Sequence, residues 1–448
     1  MMSHQIHFWQ KVEFSIVHTI LCFTLVFMSM RLFLLGNGYP VIGTNFAGFS
    51  HTMAIVINFP LSYTLLEGFS ASTTWIFQLP FAWPLIIIPN LLLSEKIFLL
   101  TVLGWYYFLS LKLSRLFFNT FSSEKTDYFL FSILFVLFMF LNYDFMFDFT
   151  GSLLPFLYSI PVILYILIKS YRIVRSLDTR RIDYVKVALA VSYISLGDPR
   201  FFILSSIALA ALLVSAFLDR KAFIRVAKIF PYMTAIAAPV VLFMMAVYTL
   251  GRGSLNYVSG RPLTYSEISS FSFSSPLINY FNLTGIYWPA FIFSPPTILS
   301  YGKSKLDYLV ATGYPPTTIL TGGWLSTCWF LLTFFPFVMF LSPMISRKLF
   351  RQVKEHYIGA FLILALTIGA YFPFKSFVDA YISVGRLPLI GGIWSITFAI
   401  PNFFTSVFTA YVIFFASFSV LNLLERTNRE SRKPPVRIVV GGYPIATR

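Results

Sequence analysis

Long apolar runs alternate with short basic segments along the whole chain. Runs of 18 or more nearly uncharged residues recur, and about 20 such residues in a helix cross the hydrocarbon core of a bilayer. The pattern predicts ten crossings, at about 14–35, 97–118, 128–147, 152–168, 184–196, 201–218, 229–250, 324–345, 357–371 and 399–424. The fold class expected is all-α: a polytopic integral membrane protein with one transmembrane domain over 1–424 and a basic tail over 425–448. Two long segments, 36–94 and 251–323, interrupt the crossings. In the first, Pro80, Pro84 and Pro89 break the apolar piece 75–93. That piece reads as interfacial or re-entrant helix, with a full crossing as the alternative. The second segment is too long for an unstructured connection in a compact domain, so it is expected to hold short helices lying on the membrane.

Composition agrees with this pattern. Only 11% of the 448 residues are charged and 57% are hydrophobic, whereas a soluble domain carries about 25% charged residues. The net charge of +16 would suit a nucleic-acid binder if it formed one patch. Here it alternates between loops, so it reads as a topology signal and no nucleic-acid partner is expected. Of the 33 Lys and Arg, 24 fall on one side of the ten-crossing scheme and 8 on the other, with Arg31 inside the first helix. The richer side is cytoplasmic by the positive-inside rule, with 169–186 and 220–228 as its clearest loops. Both termini are then cytoplasmic and the protein sits in the cell membrane. The tail beyond 424 reads as a disordered topogenic segment attracted to anionic headgroups. Cys22 and Cys328 both lie in apolar runs, which leaves no disulfide framework or cysteine metal site.

Candidate chemistry lies on the outer side. Asp144 and Asp148, in LNYDFMFDFTGS, are four residues apart and share a face if the helix continues. They can bind a metal or divide acid and base roles, or simply cap the helix before Gly151. Asp198, in SLGDPRFF, precedes a proline that ends one helix and starts the next. Asp198 is then an N-cap with Arg200 beside it, and a guanidinium at a helix N-terminus also suits phosphate. His51 is the one outer histidine, and a lone histidine is a poor metal signature. Asn282, Leu283 and Thr284 form a glycosylation sequon on the outer side. P-loop, HExxH and GxSxG motifs are all missing.

Taken in order, these features resemble the membrane glycosyltransferases of the GT-C fold, especially the arabinofuranosyltransferase-like branch. YPVIGTNFAGF after the first helix resembles a loop motif of glycine followed by an acid. LNYDFMFDFTGSLLPFLYSIP is similar to an Asn-Pro segment followed by Gly and a Pro-containing helix, SLGDPRFFIL to an Asp-Pro-Arg turn, and RLPLIGGIWSITFAIPNFF to a Pro and Gly pattern before the last helix. The resemblance implies transfer of a sugar from a polyprenyl-phosphate donor to an acceptor on the outer face. It also implies a first-loop carboxylate acting as base or metal ligand, and basic side chains on the lipid phosphate. A divalent metal ion is the cofactor it suggests.

Asn45 stands where that loop motif has its acid, and an amide cannot accept a proton as a base. Glu67 is the replacement acid in the same loop. Without one, the chain keeps lipid or glycan binding as a non-catalytic scaffold or subunit. A lipid-linked phosphosugar needs an apolar groove, a cation and an acid. Aromatic outer helices, Arg200 or Arg252 with Arg261, and Asp144, Asp148 or Asp198 can supply these in turn, with membrane lipid and the polyprenyl-phosphate donor as the expected partners. A transporter, the third class, would place ionisable groups at mid-membrane in broken helices.

Overall fold

An apolar segment in lipid has to satisfy its own backbone, and a helix does so within one segment. The computed structural model describes residues 12–27, 83–122, 126–140, 154–175, 180–197, 200–217, 219–250, 338–371, 402–431, 438–440 and 443–445. In chain order, α1 is Val12–Phe27. It is followed by α2 Trp83–Ile87, α3 Leu91–Phe121, α4 Tyr128–Phe140, α5 Leu154–Arg175, α6 Arg181–Gly197, α7 Arg200–Ser215, α8 Arg220–Ala227 and α9 Ile229–Leu250. A helix over 338–345 is α10. Then come α11 Arg347–Tyr371 and α12 Asn402–Ser431, with β1 Ile438–Val440 and β2 Tyr443–Ile445 after them. Among the described residues, three stretches are long and apolar enough to cross a membrane: Lys96–Phe121, Arg220–Phe243 and Val407–Thr427. Val12–Phe27, Tyr128–Phe140 and Phe201–Ser215 are shorter apolar helices.

Several helix ends differ from the sequence expectation where charge was taken as a boundary, although α9 matches the expected 229–250. The basic segment 169–186 is largely helical, because α5 runs on to Arg175 and α6 starts at Arg181. Lys and Arg are good helix formers, and basic residues near a helix C-terminus also suit its dipole. The segment 220–228 is likewise a helix, α8. Asp219 caps it by accepting hydrogen bonds from the Lys221 and Ala222 N–H groups at 3.0 and 3.2 Å. Helix α11 begins ten residues before the expected crossing at 357. The described part of 75–93 is not one helix, since α2 ends at Ile87 and Asn90 caps α3. The five residues of α2 are far too short to span.

The tail also departs from a purely disordered reading. Helix α12 continues to Ser431, and β1 pairs antiparallel with β2, Ile438 opposite Ile445 and Val440 opposite Tyr443. Only two residues separate these strands, the usual length of a tight hairpin loop.

Packing divides into two cores that share α5. The first surrounds α12 and takes side chains from α1, α3, α4, α5, α7, α10 and α11, with Ile194 of α6. The second joins the other face of α5 to α6, α7, α8 and α9. In the Val407–Thr427 stretch of α12, 83% of the residues are buried by protein, against 28% for Arg220–Phe243. The first is therefore the central helix, and the second is the less covered of the two among the described residues. Where lipid is as apolar as the side chains, association rests on close fit, and here aromatic rings supply much of it. Phe414 meets Phe117 and Phe121 edge-on at 5.6 Å, and Tyr357 stacks on Phe415 at 4.0 Å.

One glycine permits the closest approach. A Cβ at Gly359 of α11 would collide with the Tyr411 hydroxyl of α12 and lie 3.2 Å from its Cζ and 3.7 Å from the Ala208 carbonyl of α7. Tyr411 is fully buried and has little room to move. Gly359→Ala is expected to destabilise the bundle by about 1–3 kcal/mol through overpacking, seen as a lower Tm in detergent. Adding Tyr411→Phe should recover most of the loss, whereas a wild-type Tm for Gly359→Ala would contradict the contact.

Candidate functional site

Asn45, His51, Glu67, Asp144, Asp148, Asp198, Arg252, Arg261 and Asn282 lie outside the described residues. Arg200 is described in its backbone alone, as the first residue of α7. Two residues separate the end of α6 at Gly197 from the start of α7 at Arg200, so the break between these helices falls at the Asp-Pro-Arg sequence. Ile194 before the turn and Phe201 after it are both buried in the α12-centred core.

The described polar groups gather at the other end of the bundle. Lys169 of α5 donates to Asp183 of α6 at 2.8 Å, with side chains only 7% and 9% exposed. Asp183 also accepts from the Arg180 N–H at 3.1 Å. Burial pushes the Asp183 carboxyl up, yet the hydrogen bonds from Lys169 and Arg180, with the charges of Lys169 and Arg172, outweigh it and leave the pKa lowered. Arg175, at the end of α5, donates to the Arg351 and Gln352 carbonyls of α11, each at 2.6 Å, and to Glu355 at 3.0 Å. Arg225 of α8 donates to the Ile173 and Val174 carbonyls at 3.0 and 2.6 Å.

Two histidines that the sequence reading did not single out bind helices together. Ser132 gives its proton to the Phe129 carbonyl, so its oxygen accepts from His18 Nε2 at 2.9 Å. The other nitrogen, Nδ1, is then the acceptor for the Tyr107 hydroxyl at 2.7 Å. His18 of α1 thereby ties α3 and α4 together. By the same proton count, Ser170 donates to the Leu167 carbonyl and accepts from His356 Nε2 at 3.2 Å. For His18 the signal available in sequence was a histidine inside an apolar run, where a polar group needs partners; His356 follows the charged stretch RQVKE and carried no such signal.

A groove of about 660 Å³ lies between α3, α5 and α6. Trp105, Tyr165, Leu189 and Tyr193 line it, and Lys112 and Lys186 are the charged residues on its wall. Among the described residues, no group of three His, Cys, Asp or Glu side chains could hold a metal ion. Comparison with known proteins finds no family model, no curated protein and no solved structure that matches the chain.

The Lys169–Asp183 pair yields a stability test. Removing one partner of a buried pair strands the other charge, so Lys169→Met should cost about 3–5 kcal/mol, while Lys169→Met with Asp183→Leu should recover most of it. The lowered Asp183 pKa means that the pair's contribution is complete above the unfolded carboxyl value of about 4 and is lost as pH falls through the lower folded value. Melting curves between pH 7 and pH 3 should therefore show a smaller acid-dependent fall in Asp183→Asn than in wild type. Equal falls would remove the pair from the acid response.

Proposed function

We propose that this chain is a multi-pass glycosyltransferase of GT-C-like design, taking a sugar from a polyprenyl-phosphate donor and passing it to an acceptor on the outer face. The observation that supports it best is the tight Gly197–Arg200 connection between two packed apolar helices. A turn that short holds an acid and an arginine at one end of the bundle, beside the first free amides of α7, where an anionic phosphate is favoured. In this reading Asp198 works next to the sugar and Arg200 takes the phosphate, with Asp144 and Asp148 as the next acids. Ten crossings, both termini cytoplasmic and a divalent cation near the acids complete the reading.

Asn45 favours a second reading, a non-catalytic lipid- or glycan-binding scaffold, because the first outer loop then lacks its base. A transporter is less supported. The buried Lys169–Asp183 and Arg175–Glu355 pairs are structural clasps at one end of the bundle, and no chain of ionisable side chains leads from them across it among the described residues.

Two experiments test this. Cysteines placed singly at Lys221 and at Ser270, in a background lacking Cys22 and Cys328, should differ in reaction with a membrane-impermeant thiol reagent on intact cells. Position 270 should label and position 221 should be protected; the reverse outcome would invert the orientation. Asp198→Asn keeps the size and N-capping ability of the residue, so an unchanged Tm is expected. Incorporation of labelled sugar from a polyprenyl-phosphate donor should fall by roughly 100-fold or more. Normal transfer by this variant would sink the assignment of Asp198, and no transfer by wild type from any such donor would move the preference to the scaffold.

A further inference from the structure

The groove between α3, α5 and α6 is asymmetric along its length. Phe121 at the end of α3 packs on Tyr171 near the end of α5, with ring centroids 4.3 Å apart, so these two helices finish at the same end of the bundle. The Lys169–Asp183 pair brings the start of α6 to that end as well. Lys112 lies seven residues beyond Trp105 on α3, and Lys186 lies seven residues before Tyr193 on α6. Seven residues are two helical turns, about 10 Å along the axis and back on the same face. Both lysines therefore lie toward the clasp end of the groove, and Trp105 and Tyr193 lie deeper along it.

That end carries the basic segments assigned to the cytoplasm. Lys112 and Lys186 are both exposed, and among the described residues neither forms an ion pair with a carboxylate. The Lys112 ammonium rests 5.1 Å from the centre of the Phe108 ring. Asp183, one turn from Lys186, is already engaged by Lys169. Two uncompensated ammonium groups at the mouth of an apolar groove ask for an anion that carries its own hydrocarbon. Long lysine side chains can reach the headgroup level from such a depth, and the cytoplasmic leaflet is rich in anionic lipid.

We propose that this groove binds an anionic phospholipid of the cytoplasmic leaflet, its phosphate held by Lys112 and Lys186 and an acyl chain lying along Trp105, Leu189 and Tyr193. The site is distinct from the donor site argued above, which belongs to the opposite face. Its test uses no sugar transfer, so the two readings can fail separately.

The full-length chain is reconstituted in phosphatidylcholine vesicles doped with acyl-brominated phosphatidylglycerol or acyl-brominated phosphatidylcholine. Bromine quenches tryptophan on contact, and subtracting the signal of Trp105→Phe isolates Trp105. The expected result is stronger quenching of Trp105 by the anionic lipid, by roughly threefold or more given two lysines near the surface. The preference should shrink at high salt, vanish in Lys112→Gln with Lys186→Gln, and survive Lys112→Arg with Lys186→Arg. If the glutamine variant fails to fold, the wild-type lipid comparison and its salt dependence still decide. Equal quenching by both lipids would make the groove an unselective part of the lipid annulus. Absence of Trp105 quenching by either would mean that another occupant covers it. A preference that persists in the folded glutamine variant would remove the lysines from the site. Displacement of brominated phosphatidylglycerol by a polyprenyl phosphate, but not by unlabelled phosphatidylglycerol, would reassign the groove to an isoprenoid lipid. Each of these four outcomes overturns the proposal.

Discussion

The last carbonyls of a helix have no partner within it, and at the end of α5 Arg225 meets this demand while Arg175 ties the same end to α11. Arg225 of α8 takes the Ile173 and Val174 carbonyls, while Arg175 of α5 reaches out to carbonyls and Glu355 of α11. An unpaired carbonyl removed from water costs several kcal/mol, so the Arg225 contacts fix how α8 sits against α5, and the Arg175 bonds and its Glu355 pair hold α11 there. Both cores use α5 as a wall, and its placement therefore sets the spacing of nearly every other described helix.

Away from that junction, most buried polar side chains find a bond without water, with Ser417 Oγ and His356 Nδ1 left unpaired among the described residues. Serines 110, 195, 206 and 215 donate to the carbonyl four residues earlier on their own helix. Such a serine costs the apolar face little and leaves the helix able to pack closely. The two bridging histidines go further and join helices distant in sequence, His18 to Tyr107 and Ser132, and His356 to Ser170. These directional bonds specify register, a task that interchangeable phenylalanines alone perform poorly.

Helix positions were legible in the sequence because a long apolar run in lipid has essentially one backbone solution. Helix ends were not. Lys169, Arg172 and Arg175 looked like the start of a loop, yet charge by itself does not end a helix, and these residues extend α5 to meet α6, α8 and α11. Read as topology signals, they concealed the fact that Lys169 and Arg175 each have a specific acid partner. Nothing local marks Asp183 as the mate of Lys169 fourteen residues away, since the pairing exists only once α5 and α6 lie side by side. The helix break between Gly197 and Arg200 was legible, because proline both stops and starts helices. Convergence of Asp144, Asp148 or Glu67 on that turn depends on long-range placement that local pattern does not encode.

The clasp and the turn are mechanically connected through α6. Its 17 residues amount to about 26 Å of helix, with Asp183 held by Lys169 near its start and the Asp-Pro turn at its finish. A helix rotates as a body by about 100° per residue of register shift, so the pinning of Asp183 at one end sets the direction in which the chain leaves the other. Ile194 and Phe201, on either side of the turn, are 1% and 0% exposed in the α12-centred core, which fixes the turn from the opposite end. Held at both ends, α6 has little freedom to slide. With both helices pinned in this way, the two-residue connection between Gly197 and Arg200 joins ends that are already held in place by the packing on either side.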